Sequence, residues 1–77
     1  MKSKYFISKH VGCLLEKYRM HSKLSVSDIS RAININEETI HNYEKGIQSI
    51  SVCILLNYLI FINANVLDFF TEVGDGF

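Results

Sequence analysis

VSDISRAININEETIHNYEKG, residues 26–46, is the stretch on which the fold turns. Apolar residues recur at Ile29, Ala32, Ile33 and Ile35, then at Ile40 and Tyr43, the spacing of helical faces rather than the alternation of a strand. Asn34, between the two runs, tolerates the left-handed conformation that ends a helix. Asn36 is then an N-cap for a second helix, with Thr39 at its N3 position and Glu37 and Glu38 at the positive end of the helix dipole. Gly46 closes that helix as the residue just past its end. Two short helices around a tight corner make a helix-turn-helix.

Working outward, Ser25 caps the first of these helices and Asp28 stands at its N3 position, an S-x-x-D capping box. This predicts helix 2 over about Val26 to Ile33 and helix 3 over about Glu37 to Lys45. Upstream, residues 1–7 predict a lysine-rich basic arm in which Tyr5, Phe6 and Ile7 can pack back. Ser8 is the expected cap of helix 1, which runs to about Ser22 and buries Val11, Leu14 or Leu15, Tyr18 and Met20. Downstream, Ser51 caps helix 4, VCILLNYLIFI over 52–62, apolar almost all the way round with Asn57 its only strongly polar side chain. Asn63, Ala64 and Asn65 make the next corner. Asn65 caps helix 5, expected from Val66 to about Glu72, and residues 73–77 read as a frayed tail. The expectation is an all-α, five-helix domain over residues 8–72.

Composition agrees with a helical domain. The chain has 77 residues, 48% hydrophobic, with four glycines and no proline. It is one domain with a thin core. No apolar run is long enough for a membrane span, and no signal-peptide core follows the first lysines. Cytoplasmic residence is the default, with no membrane contact. Cys13 and Cys53 are 40 residues apart without a CxxC or a nearby histidine pair, so neither a zinc site nor a needed disulfide is expected. Net charge is zero but unevenly spread. Residues 1–23 carry Lys2, Lys4, Lys9, Lys17, Arg19 and Lys23 against Glu16, a net +5. Residues 24–77 carry Arg31 and Lys45 against Asp28, Glu37, Glu38, Glu44, Asp68, Glu72 and Asp75, a net −5. A basic end can meet phosphates even when the whole chain is neutral.

At Gly12, Tyr18-Arg19, Leu24-Ser25, Ser30, Ile35-Asn36, Glu44-Lys45-Gly46 and Val66-Leu67-Asp68-Phe69-Phe70, the chain resembles the phage repressor/Cro-type helix-turn-helix domains, also called the xenobiotic-response-element type. Each motif alone is weak; in order and at this spacing they cover about residues 10–70. The resemblance implies a lambda-repressor-like fold and a sequence-specific DNA-binding transcriptional regulator, a dimer on a two-fold operator with half-sites about one helical turn apart. It implies that Arg19 pairs with Glu44, fixing helix 3 against helix 1. It places double-stranded DNA against the start of helix 3 and its flanks: Ser25, Asn36, Glu37, Glu38, Thr39, His41, Asn42 and Lys45. Asn42 suits adenine, Thr39 a phosphate or a thymine methyl, and a glutamate the cytosine amino group. His41 adds a donor, more so when protonated. Family dimers commonly associate through C-terminal helices, which makes Cys53, Leu56, Ile60, Phe61, Phe69 and Phe70 candidates for a homodimer surface, with Phe77 beside them; the alternative is that they fill one large core.

Two departures from the family pattern bear on function. Val26 stands where a phosphate-holding glutamine is frequent, and Glu37 and Glu38 set negative charge where DNA would lie. The glutamates either find cytosine amino groups or only complement the helix dipole. Compensating cations would come from Lys23, Lys45, Arg31 and the N-terminal lysines, either along the backbone or in a minor groove. The alternative function is a protein-interaction module that modulates another regulator, with a protein partner and little DNA affinity of its own. No enzyme is expected: His10, His21 and His41 lie on different helical stretches, no nucleophile–base pair stands out, and no cofactor or metal motif is present. Ending soon after helix 5 fits a stand-alone module as well as the N-terminal piece of a longer regulator.

Overall fold

The computed structural model describes residues 4–76. Its five helices are α1 (Lys4–His21), α2 (Val26–Ile33), α3 (Glu37–Lys45), α4 (Val52–Phe61) and α5 (Val66–Asp75). There is no strand among the described residues, and the architecture is all-α. No helix among them is long and apolar enough to cross a membrane.

Local chemistry sets the ends of the middle helices. The Ser25 hydroxyl accepts from the Asp28 backbone N–H while the Ser25 N–H donates to the Asp28 carboxylate at 2.9 Å, so both halves of the capping box form. Asn34 adopts φ 57°, ψ 47° and stops α2. Two residues on, the Asn36 side chain accepts from the Thr39 N–H at 2.8 Å and starts α3. Gly46, at φ 74°, ends it. Ser51 and Asn65 cap α4 and α5 in the same way.

The core is built from one face of each helix. Leu15, Ile29, Ile40, Tyr58, Leu59 and Phe69 are fully buried, with Val26, Tyr43, Leu55 and Ile62 close behind. α1 lies against α3 on one side and α5 on the other, and α2 bridges α3 and α4. The closest approach is at Gly12, where a Cβ would come within 2.6 Å of the Glu44 carbonyl oxygen and closer still to that of Tyr43. Only a glycine lets α1 and α3 touch backbone to backbone.

Several expectations are corrected. α1 begins at Lys4, so Ser8 is not a cap but an interior residue whose hydroxyl hydrogen-bonds that of Ser49 at 2.8 Å. Nothing in residues 4–8 breaks a helix, and propagation is favourable once α1 is nucleated. Residues 1–3 of the expected arm lie outside the described residues, as does Phe77. Met20 is exposed rather than buried. α4 ends at Phe61, with Ile62 turning into the core. α5 continues past Glu72 to Asp75, because Val73 packs against the core instead of fraying.

Candidate nucleic-acid interface

α3 is held from behind by a buried polar cluster. Arg19 Nε donates to Glu44 Oε2 at 2.8 Å and Arg19 Nη2 to Glu44 Oε1 at 3.0 Å, a two-pronged guanidinium–carboxylate pair. Arg19 Nη1 donates to the Leu24 carbonyl at 3.0 Å, tying in the α1–α2 corner. The Tyr58 hydroxyl, on α4, donates to Glu44 Oε2 at 2.5 Å and lies 3.3 Å from the Leu15 carbonyl. The Glu44 side chain is 3% exposed and that of Arg19 12%. A buried carboxylate needs donors, and here it has three. The Glu44 hydrogen bond holds the Arg19 guanidinium further above its already high range, against the opposing cost of burial. Burial, then the Glu44 carboxylate, push the Tyr58 phenol upward, so it stays a donor. Tyr58 did not stand out in the sequence. A lone phenol among the aliphatic residues of helix 4, facing a buried glutamate, is the signal that could have found it.

With Ile40, Tyr43 and Glu44 turned inward, helical spacing puts Glu38, His41, Asn42 and Lys45 on the outward side of α3. Glu37, Glu38, His41 and Lys45 are exposed, while Thr39 and Asn42 are half-buried. The Asn36 oxygen is spent on the cap, so its amide N–H groups are what it can offer a ligand. Ser25 likewise has both its backbone N–H and its hydroxyl engaged by Asp28. Val26 is buried and its side chain has no polar group to offer a phosphate. Among the cations, Arg31 Nη2 pairs with Asp28 at 3.0 Å on its own helix, and Lys45 stands exposed at the end of α3. The backbone of Lys9 packs on Gly46, bringing the lysine-rich start of α1 to the end of α3.

The six residues expected at a homodimer surface are not all on one surface. Cys53, Leu56, Ile60 and Phe61 share the outward side of α4, with Ile60 67% exposed. Phe70 is also exposed. Phe69 is not: it is fully buried, with its ring edge-to-face against Tyr18 at 5.3 Å, so it belongs to the core. Both cysteines are free and exposed.

This is the helix-turn-helix fold. No family model matches the chain, nor does any curated protein. Solved structures do. The clp gene regulator ClgR from Corynebacterium glutamicum superposes with a TM-score of 0.84 at 17% identity, covering 91% of this chain and 74% of that one. A second structure of ClgR gives 0.82 at 17%, covering 90% and 88%. A tyrosine-to-phenylalanine mutant of the Restriction-Modification Controller Protein C.Esp1396I gives 0.82 at 17%, covering 99% and 94%. At this identity the likeness is one of fold.

Proposed function

We propose that this chain is a sequence-specific DNA-binding transcriptional regulator of the phage repressor/Cro type, cytoplasmic, non-enzymatic, and a homodimer on a two-fold operator. α3 enters the major groove, where Asn42 and Glu38 meet base edges and His41, Lys45, Thr39, Asn36 and Ser25 contribute flanking contacts. The observation that carries this reading is the Arg19–Glu44–Tyr58 cluster. It locks the inner side of α3 and leaves Glu38, His41, Asn42 and Lys45 facing out on a helix of fixed orientation. The apolar outward side of α4, with Ile60 and Phe61 exposed and Leu56 half-buried, supports the dimer.

Fluorescence-anisotropy titration with promoter and random-sequence duplexes, repeated over a salt series, tests the proposal. Expected is tighter binding to one sequence set, with affinity falling steeply with salt. A folded dimer that binds no duplex at low salt would instead favour a protein-interaction module that modulates another regulator. The observation behind that second reading is the exposed Glu37–Glu38 pair on the first turn of α3.

A further inference from the structure

α4 turns an apolar side to solvent. A helix on the surface of a small domain normally carries charge there, yet Val52–Phe61 holds no acidic or basic residue. Its outward residues fall into two rows at four-residue spacing, Val52–Leu56–Ile60 and Cys53–Asn57–Phe61. Val52 and Ile60 are each 67% exposed and Phe61 42%, with Cys53 and Asn57 also exposed and Leu56 half-buried. Both rows taper, from the smaller Val52 and Cys53 at the start of the helix to the larger Ile60 and Phe61 at its end. Asn57 stands in the middle as the one strongly polar side chain of this face, and among the described residues no hydrogen bond engages its amide. Asp28 and Arg31 of α2 flank Phe61, so charge borders the apolar side without entering it.

We propose that α4 packs antiparallel against α4 of a second copy, with Asn57 at the two-fold axis; this rests on the homodimer reading above and adds its geometry. The taper decides the direction. Parallel helices would set Phe61 on Phe61 and Cys53 on Cys53, crowded at one end and gapped at the other. Antiparallel helices set each large residue on a small one, Phe61 on Cys53 and Ile60 on Val52, and fill the space evenly. Cys53 and Phe61 lie four residues either side of Asn57, so this pairing centres on Asn57, the place where a residue meets its own copy. An amide suits that place. It carries both donors and an acceptor, and two copies related by a two-fold satisfy each other reciprocally. Any offset would press the amide on aliphatic carbon and leave it unpaired, which penalises other registers, the role a single buried asparagine has in coiled coils.

Disulfide trapping in the full chain tests the geometry, with Cys13→Ser throughout and copper–phenanthroline with oxygen as the oxidant. About an antiparallel centre at Asn57, the two native Cys53 residues stand about 12 Å apart along the helix, beyond the reach of a disulfide. Native Cys53 should therefore give no linked dimer on a non-reducing gel. Adding Phe61→Cys should give one, through Cys53 of one copy and position 61 of the other. Asn57→Cys with Cys53→Ser should link at the axis. Sedimentation at neutral pH adds a second reading, since Asn57→Asp sets like charges face to face and should weaken the dimer about tenfold or more. Asn57 is exposed in the single chain, so the fold should be kept, which circular dichroism checks. Ready linking through native Cys53, a folded dimer that fails to link through position 57, or an Asn57→Asp dimer as tight as the parent would overturn the proposal and leave the homodimer standing. A monomeric parent chain would remove both.

Discussion

Arg19 and Glu44, 25 residues apart, meet through two parallel hydrogen bonds of 2.8 and 3.0 Å, and Tyr58 completes the contact from a third helix. The pair joins α1 to α3 at the point where α3 must be held still. Removing one partner leaves the other charge buried and uncompensated, which costs about 3–5 kcal/mol. Arg19→Met or Glu44→Met should therefore destabilise strongly, and the double variant by clearly less than the sum. Urea denaturation of the four proteins in the cycle checks this; additive, small effects would mean the pair does not hold the fold.

Gly12 sets how near α1 comes to α3. Gly12→Ala gains about 1 kcal/mol of helix propensity, but its methyl lands on two backbone carbonyls that cannot swing aside. Overpacking of this kind costs about 1–3 kcal/mol, so a net loss in thermal stability is expected. A rise in melting temperature would contradict the close approach.

Asn36 carries both the cap of α3 and a place on its outer edge. Asn36→Ala should cost about 1 kcal/mol through the lost bond to the Thr39 N–H. Asn36→Ser should restore most of that stability, since serine caps comparably. Thermal melts of the two variants decide it.

The tyrosines predict alkaline behaviour. The Tyr18 phenol is raised from 10.0 to about 12, and that of Tyr58 is raised further. Both hold their protons more tightly folded than unfolded. Their contribution is complete below the unfolded value near pH 10 and is lost as pH rises through about 12 and beyond. Denaturation midpoints followed from pH 9 upward should fall over that window, and Tyr18→Phe should flatten the fall.

The sequence foretold what local rules govern. The Ser25–Asp28 box, the Asn34 corner, the Asn36 cap and the Gly46 stop all act within three or four residues, and each is where the pattern put it. What escaped depended on distant partners. Ser8 had the chemistry of a cap but no acidic N3 residue to strengthen it, and a helix already growing from Lys4 ran through it. Phe69 and Phe70 are neighbours of the same type; only the packing of α5 on α1 sends Phe69 inward and leaves Phe70 out. In α4, apolar on every side, no periodicity marks which residue faces Glu44; the lone phenol hints at Tyr58, but its partner emerges only when the helices come together.

The exposed side of α4 gives a direct check on self-association. Ile60→Glu and Phe61→Glu change exposed positions, so the fold should survive while a dimer should not. Sedimentation equilibrium should show a dimer for the parent chain and a monomer for the variants. A parent monomer at roughly the tens of micromolar where a modest interface already associates would remove the dimer from the account.

The central claim is that the outward side of α3 reads base sequence, and selection from a random duplex library tests it most directly. The account predicts enrichment of a two-fold motif with half-site centres about 10 base pairs apart, and Asn42→Ala should relax one symmetric position in it. Lys45→Ala should weaken all sequences alike and lower the salt slope by about 1. No enrichment by a folded, dimeric chain, or a motif unchanged by Asn42→Ala and Glu38→Ala alike, would contradict it.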